Sequence, residues 1–437
     1  MSSDPITTGL MGLGAMFVLI LLQVPVGIAM GVVGVIGTGL IIGFGPALSL
    51  LATEPSSAMA AEGLAVIAMF LLMGNLAHVG GLSDELYRLA YVWLGHRRGG
   101  LIFATVGACA GFGAICGSSV ATAATMARIA LPQMLERGYA KSLAAGSIAA
   151  GGTLGMIVPP SVVMILYAIL TENSIIALFL AAIVPGLMAV VFYFIAVAIT
   201  VRRNPDLAPL SPRTTWRERR RASLQSWAVI LLAVIVSGGI YSGIFTVSEA
   251  ASVGASVALL LALLRGRLKR SSFLAALGDT ASNTGLIFII IIGASVFSYF
   301  ATLSGLPSAT VTWIENMGLS PIMVIAMLML FYIVLGAIFD TIAAMVLTLP
   351  FVYPLVIGLG YDPIWWGVIM IVVIELGMIT PPIGINVFVL HGMARDLPLG
   401  TIFRGVIPFV FADLARLVVL ILFPALSLWL PGVLGWL

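Results

Sequence analysis

Two stretches of this 437-residue chain share an unusual pattern: TLGMIVPPS at 153–161 and ELGMITPPI at 375–383 both read Leu-Gly-Met-Ile-x-Pro-Pro, 222 positions apart. Consecutive prolines lack N–H donors and fix φ, so a helix cannot pass through them with its hydrogen bonds intact. The carbonyls just ahead of each pair lose their intrahelical donors and become ligands suited to a hard cation. The half-helix that restarts beyond the break turns its N–H groups toward an anion. Gly155 and Gly377, ahead of the two pairs, let a second backbone come close. The chemistry on offer is ion binding by backbone, not bond making by side chains.

Enzyme chemistry finds little support. An intramembrane metalloprotease needs H-E-x-x-H on a helix, and none of His78, His96 or His391 stands in that context. No second aspartate is placed to form a dyad with Asp340, and no Ser/His pair is evident. His391 reads as a hydrogen-bonded packing residue. Cys109 and Cys116, the only cysteines, would sit about 10 Å apart on a helix, too far for a disulfide without backbone movement, and read as small packing residues.

The elements that carry the two motifs belong in lipid. Hydrophobic residues make up 61% of the chain and charged residues 8%, against roughly 25% charged in a soluble domain. The mean hydropathy is +1.19. The formal charge of +3 lies in loops between apolar segments and carries no message about nucleic acid. Candidate spans fall near 8–23, 25–45, 63–79, 174–201, 224–241, 246–264, 283–303 and 398–425. The stretches 140–170 and 363–394 contain the Pro-Pro breaks. Two more, about 101–135 and 323–354, are rich in Gly, Ala, Ser and Thr and are interrupted near their middles. The N-terminus has no basic residue ahead of its apolar run and reads as a first membrane helix, not a cleaved signal.

The duplication extends beyond the motif. GAICGSS (113–119) aligns with GAIFDTI (336–342), Gly138-Tyr139 with Gly360-Tyr361, Gly63-Leu64 with Gly285-Leu286, and Ile183-Val184-Pro185 with Val406-Ile407-Pro408, all at offsets of 222 or 223. Loop charges orient the halves. Segment 202–223 holds seven arginines against two acids, and RGRLKR (265–270) holds four basic residues. Both are cytoplasmic by the positive-inside rule, as are 80–100 and 132–141. Their counterparts in the second half, 304–320 and 355–362, contain no Lys or Arg. Corresponding loops thus lie on opposite sides, which gives five spans per half, both termini periplasmic, and an inverted repeat of the kind found in secondary transporters.

The expected fold is an all-α polytopic membrane protein of two inverted-topology repeats. The first, 1–201, comprises scaffold helices in 8–79, a re-entrant hairpin at 101–135, a broken helix at 140–170 and a helix at 174–201. The basic cytoplasmic loop 202–223 follows. The second, 224–437, comprises scaffold helices in 224–303, a hairpin at 323–354, a broken helix at 363–394 and a helix at 398–425. A break in mid-membrane must be buried in protein or line a wet cavity, so each hairpin tip, CGSSVAT (116–122) or FDTIAAM (339–345), is expected to meet a break and enclose a site near the midplane. Small residues also serve plain helix packing, but packing alone does not account for duplicated breaks matched to duplicated hairpins.

In 113–125, 151–161, 336–341 and 375–386, and over essentially the whole chain, the sequence resembles the large membrane subunit of tripartite ATP-independent periplasmic (TRAP) transporters, the dicarboxylate-permease type. The resemblance implies an elevator-type carrier of the ion-transporter superfamily in the bacterial inner membrane, coupled to sodium and needing no other cofactor. It also implies two partners, a small four-helix membrane subunit and a periplasmic binding protein that delivers a small organic anion, usually a carboxylate. Carried over to these positions, one sodium site would use Gly117, Ser118 and Ser119 with the carbonyls of Gly155, Val158 and Pro160. The other would use Gly336 with Gly377, Thr380 and Ile383. Substrate would lie near Ser119, Ser161, Asp340, Thr341 and Asn386. The alternatives are a proton-coupled organic-anion carrier of related fold and a channel.

Ionisable groups within spans are costly and mark function by default. Glu249, Asp340, Glu375, Asp413 and Arg416 lie in or at the edge of apolar segments. Asp413 and Arg416, at i and i+3, are expected to neutralise each other. Asp340 aligns with Gly117 and Glu375 with Thr153, so both acids belong to the second half alone. For Asp340 three roles stand open: pinning its hairpin through backbone N–H bonds, contacting ion or substrate, or carrying a proton.

Overall fold

A computed structural model describes residues 4–436, apart from the side chain of Glu62; the outermost limits of the two expected repeats, residues 1–3 and 437, lie outside the described residues. The chain is helical throughout. It opens with α1 (Pro5–Leu21), α2 (Val26–Ile42), α3 (Phe44–Ala60) and α4 (Glu62–Val79), followed by the amphipathic α5 (Leu82–Leu94). A helical hairpin, α6 (Gly100–Cys116) and α7 (Ser119–Glu136), leads to α8 (Lys141–Ile157) and α9 (Val162–Thr171), which flank the first Pro-Pro pair, and then to the long α10 (Ile175–Arg203). After α11 (Trp216–Gln225), a span begins as α12 (Trp227–Ala233), passes a π turn at Val234–Gly238 and ends as α13 (Gly239–Tyr241). Then come α14 (Val247–Leu264), the 34-residue α15 (Arg270–Leu303) and α16 (Leu306–Asn316). The second hairpin is α17 (Pro321–Ile338) and α18 (Thr341–Gly358). The second broken helix is α19 (Pro363–Gly377) and α20 (Ile385–Met393), with α21 (Leu399–Leu422) and α22 (Ala425–Val433) at the end.

Helix starts recur with the sequence offset. Gly100 and Pro321, Ser119 and Thr341, Lys141 and Pro363, Val162 and Ile385, and Ile175 and Leu399 open counterpart helices 221 to 224 positions apart. Packing pairs the two parts crosswise: α2 runs along α15 as α14 runs along α4, and α8 runs along α21 as α19 meets α10. The hairpins and broken helices form an inner layer, with α6 and α7 against α8 and α17 and α18 against α19. Helices α8 and α19 are buried on almost every side. Exposed apolar side chains line the outside, for example Leu187, Val191 and Ile195 along one face of α10.

Six helices, α10, α14, α15, α17, α18 and α21, are long and apolar enough to cross a bilayer. The two arms of the second hairpin are thus each 18 residues, about 27 Å, so length by itself does not separate a re-entrant hairpin from two spans. The tip of this hairpin ends against the break in α19–α20. The segment 202–223 is only partly a loop: α10 continues to Arg203, a 3-10 turn occupies Pro205–Leu207, and α11 begins at Trp216. Thr215 and Glu218 close a capping box there, and Arg is a good helix former, so the basic run reads as loop by charge yet folds as helix. The expected final helix to 425 stops at Leu422, ahead of Pro424, which disfavours helical geometry at Phe423. Helix α3, between two expected spans, was not foreseen.

The basic segments gather at one end of the molecule. Arg265 pairs with Glu85 at 2.8 Å, Thr214 donates to the Val92 carbonyl, the Ala140 N–H reaches the Leu207 carbonyl, and Arg219 lies over the Trp93 ring. The start of α1 is elsewhere, packed on the base-free segment after α15, where Gly9 faces Ser304.

Candidate functional site

The first hairpin turns because Gly117 adopts φ +64°, a left-handed geometry that favours glycine, and returns its N–H to the Gly113 carbonyl at 2.7 Å. Ser118 then caps α7 by accepting from the Ala121 N–H. The tip rests on the first break. A methyl built on Gly155 would lie 2.7 Å from both the Ser118 carbonyl oxygen and Thr122 Oγ1, and one on Gly113 would lie 2.5 Å from the Gly155 Cα. One on Gly117 would come to 3.3 Å from the Pro160 carbonyl oxygen. Gly117, Ser118, Gly155 and Pro160 are thus brought together. Val158 sits beside them as the last residue before the cis Pro159–Pro160 bond.

The two breaks differ in which of their carbonyls find donors. At the first, Pro159 and Pro160 stand where donors to the Gly155 and Met156 carbonyls would be, and no other backbone N–H replaces them among the described residues. Ser161, just beyond, is wholly buried with its hydroxyl unpartnered. At the second, around the cis Pro381–Pro382 bond, the Thr380 N–H donates to Gly377 at 2.9 Å and the Asn386 N–H to Met378 at 3.2 Å. The Thr380 hydroxyl donates to Leu376, and the Gly384 N–H crosses to Ala337 in the second hairpin. The glycine contact recurs, since a methyl on Gly377 would lie 2.7 Å from the Gly336 backbone. Ile383 is partly exposed at the edge. The first break leaves oxygens free, whereas the second closes more of its own.

A cavity of about 460 Å³ opens between this inner layer and the scaffold. The first tip contributes Gly117 and Ser118, and the second contributes Asp340; α4 and α15 contribute Asn75 and Asn283 from the other wall. Of the five residues singled out for substrate, Asp340 alone lines it. Ser119, Ser161, Thr341 and Asn386 are fully buried behind the lining. There Asn386 Nδ2 donates to Ser119 Oγ at 2.7 Å and to the Ala149 carbonyl, tying α20 to the first tip, and Thr341 contacts Met378 Sδ. Asp340 caps α18, accepting from the N–H groups of Ile342 and Ala343 at 3.2 and 3.4 Å. That is the pinning contact, made by a carboxylate that also reaches the cavity. Asn75 and Asn283 are uncharged and so carry no ionisable signal in the sequence, though an amide inside an apolar run is a signal of the same kind. Asn75 is held by Thr280 at 2.9 Å.

Behind the breaks lies a second polar cluster. Arg416 pairs with Asp413 at 2.9 Å, both 1% exposed, so these two do neutralise each other. Tyr193 donates to Asp413 at 2.6 Å and stands 3.0 Å from the Thr153 hydroxyl. Glu375, at the repeat position of Thr153, is as deeply buried, and neither carboxylate oxygen has a hydrogen-bond partner among the described residues. His391 is bonded to the Leu397 carbonyl at 2.7 Å, as a packing histidine should be. Glu249 lies outside the core and serves the Thr246 capping box at the start of α14.

Comparison with known proteins matches residues 13–426 to the model of the DctM component of tripartite ATP-independent periplasmic transporters. The chain is 36% identical over 373 residues to the C4-dicarboxylate TRAP transporter large permease protein DctM of Pseudomonas aeruginosa, covering 85% of this chain and 87% of that protein. It is 31% identical to the ectoine/5-hydroxyectoine TRAP transporter large permease protein UehC of Ruegeria pomeroyi, covering 95% and 96%. Among solved structures, the Alcanivorax borkumensis YdaH transporter superposes with a TM-score of 0.62 at 15% identity, over 88% of this chain and 89% of that one, a likeness of fold alone.

Proposed function

This chain belongs to the DctM family of TRAP transporters and is a membrane permease for a small organic solute, not an enzyme; we propose that it carries an organic anion inward by sodium-coupled elevator transport. The observation that carries this reading is the seating of each hairpin tip on a Pro-Pro break, with carbonyls left free at the first. One sodium site uses Gly117, Ser118 and Ser119 with the carbonyls of Gly155, Val158 and Pro160. The other uses Gly336, Gly377, Thr380 and Ile383. Substrate enters the cavity at Asp340, with Ser119, Ser161, Thr341 and Asn386 as its supporting layer. The lining holds one acid and no Lys or Arg, so an anion bound there needs a cation beside it, which cotransported sodium supplies.

The hairpins and broken helices move as one body against the scaffold of α2, α4, α14 and α15. The halves are inverted repeats, with the basic end cytoplasmic and the termini periplasmic. A small membrane subunit and a periplasmic binding protein complete the complex. The relatives' names span a dicarboxylate and ectoine, a zwitterion, so the cargo is proposed only as a small organic solute bearing a carboxylate.

The test is uptake by the assembled complex in proteoliposomes. An inward sodium gradient at uniform pH should drive accumulation, and equal uptake with potassium throughout would refute coupling. The unpartnered Glu375 and the cavity-facing Asp340 favour a second reading, proton coupling. Accumulation driven by an inward proton gradient without sodium would establish it instead.

A further inference from the structure

We propose that α11 is an interfacial membrane anchor that binds anionic phospholipid headgroups of the leaflet at the basic end. The proposal rests on the membrane reading of the fold and not on the coupling ion.

The helix is amphipathic in a particular way. Trp216, Arg220 and Leu224 follow each other at four-residue steps, and Arg217 and Arg221 form the next row. All five are exposed, as is Trp227 at the junction; the three apolar side chains are 70%, 63% and 53% exposed for Trp216, Leu224 and Trp227. The opposite face is locked onto the protein. Ala222 and Ser226 are buried, and Ser223 accepts from Trp93 Nε1 at 3.2 Å. Arg219 is turned inward, donating to Thr214 at 3.2 Å and covering Trp93. Arg217, Arg220 and Arg221 form no ion pair among the described residues.

Helix α11 meets the span beginning at Trp227 at a bend of 47°, so it departs from the axis of that span where the span starts. A helix held there with tryptophan and leucine beside three free arginines has the composition of an interfacial anchor, the apolar residues at the acyl boundary and the guanidinium groups on phosphates. Four arginines against one glutamate in Trp216–Gln225 make an anionic leaflet the complementary surface. Through α5, which packs on both α11 and the first hairpin, a bound lipid also braces the scaffold behind that hairpin.

The experiment places an environment-sensitive NBD label on Leu224→Cys in the assembled complex; the wild-type chain, whose two cysteines are buried, is the labelling control. Nanodiscs contain brominated phosphatidylglycerol or brominated phosphatidylcholine at equal mole fraction. Each basic residue at an anionic surface contributes on the order of fivefold, so quenching should favour the anionic lipid by at least about tenfold. High salt should erode the preference. In R217Q/R220Q/R221Q it should fall to within about twofold while brominated phosphatidylcholine still quenches. Equal quenching by both lipids in the unsubstituted helix would overturn the proposal. Absence of quenching by either would also overturn it, placing this face in water or under a protein partner.

Discussion

Gly155 and Gly377 are the positions where one methyl group tests the site most directly. Each would push that methyl to 2.7 Å from hairpin backbone, where the neighbour cannot rotate away, so the tip must lift from the break. Gly155→Ala and Gly377→Ala are each expected to cost about 1–3 kcal/mol of stability. Because the free carbonyls lie at the first break, Gly155→Ala should raise the sodium concentration for half-maximal uptake by tenfold or more, and Gly377→Ala should raise it less. Sodium titration of uptake in the assembled complex measures both; unchanged values in both would mean the contacts serve packing only. Asp340 separates its two contacts differently. Asn caps a helix as well as Asp does, so Asp340→Asn should leave thermal stability nearly unchanged. Uptake should still fall severalfold, since the one carboxylate among the described residues of the cavity lining has been replaced by a neutral amide. Wild-type uptake in that variant would confine Asp340 to capping.

Among the elements, α21 braces both broken helices, touching α8 and α19 and placing Asp413 and Arg416 between them. Removing one member of a buried ion pair costs about 3–5 kcal/mol because the other charge stays behind. Arg416→Met, which strands Asp413 beside Glu375, should therefore lower the melting temperature sharply and reduce the amount of folded protein. Glu375→Gln replaces a buried carboxyl group that has no hydrogen-bond partner among the described residues and should be neutral or stabilising. The reverse order of stability in a thermal-unfolding comparison would show that Glu375, and not Asp413, is the working partner of Arg416.

At the scale of the whole molecule, orientation is the open quantity that one experiment settles. Arg217 lies on the basic end and Met317 follows α16 in the base-free segment, both exposed. Single cysteines at these positions, with Cys109 and Cys116 replaced, should react with an impermeant reagent from opposite sides, Met317→Cys alone in intact cells. Labelling of Arg217→Cys from outside would reverse the topology. The sequence by itself determined the membrane class, the duplication, the two breaks and the positions of the hairpins, because apolar length, proline chemistry and a constant offset are properties of the chain alone. It also pointed to Asp413 with Arg416, one helical turn apart. It did not reveal helix within the basic segment, where charge masked a capping box, or the asparagines of the cavity, whose relevance depends on helices 200 positions apart coming together. Only the tertiary structure decided which freed carbonyls stay free. Both motifs liberate the same oxygens, but whether a neighbouring N–H, from Asn386 at one break and from nothing at the other, arrives to claim them depends on packing between elements that no local pattern encodes.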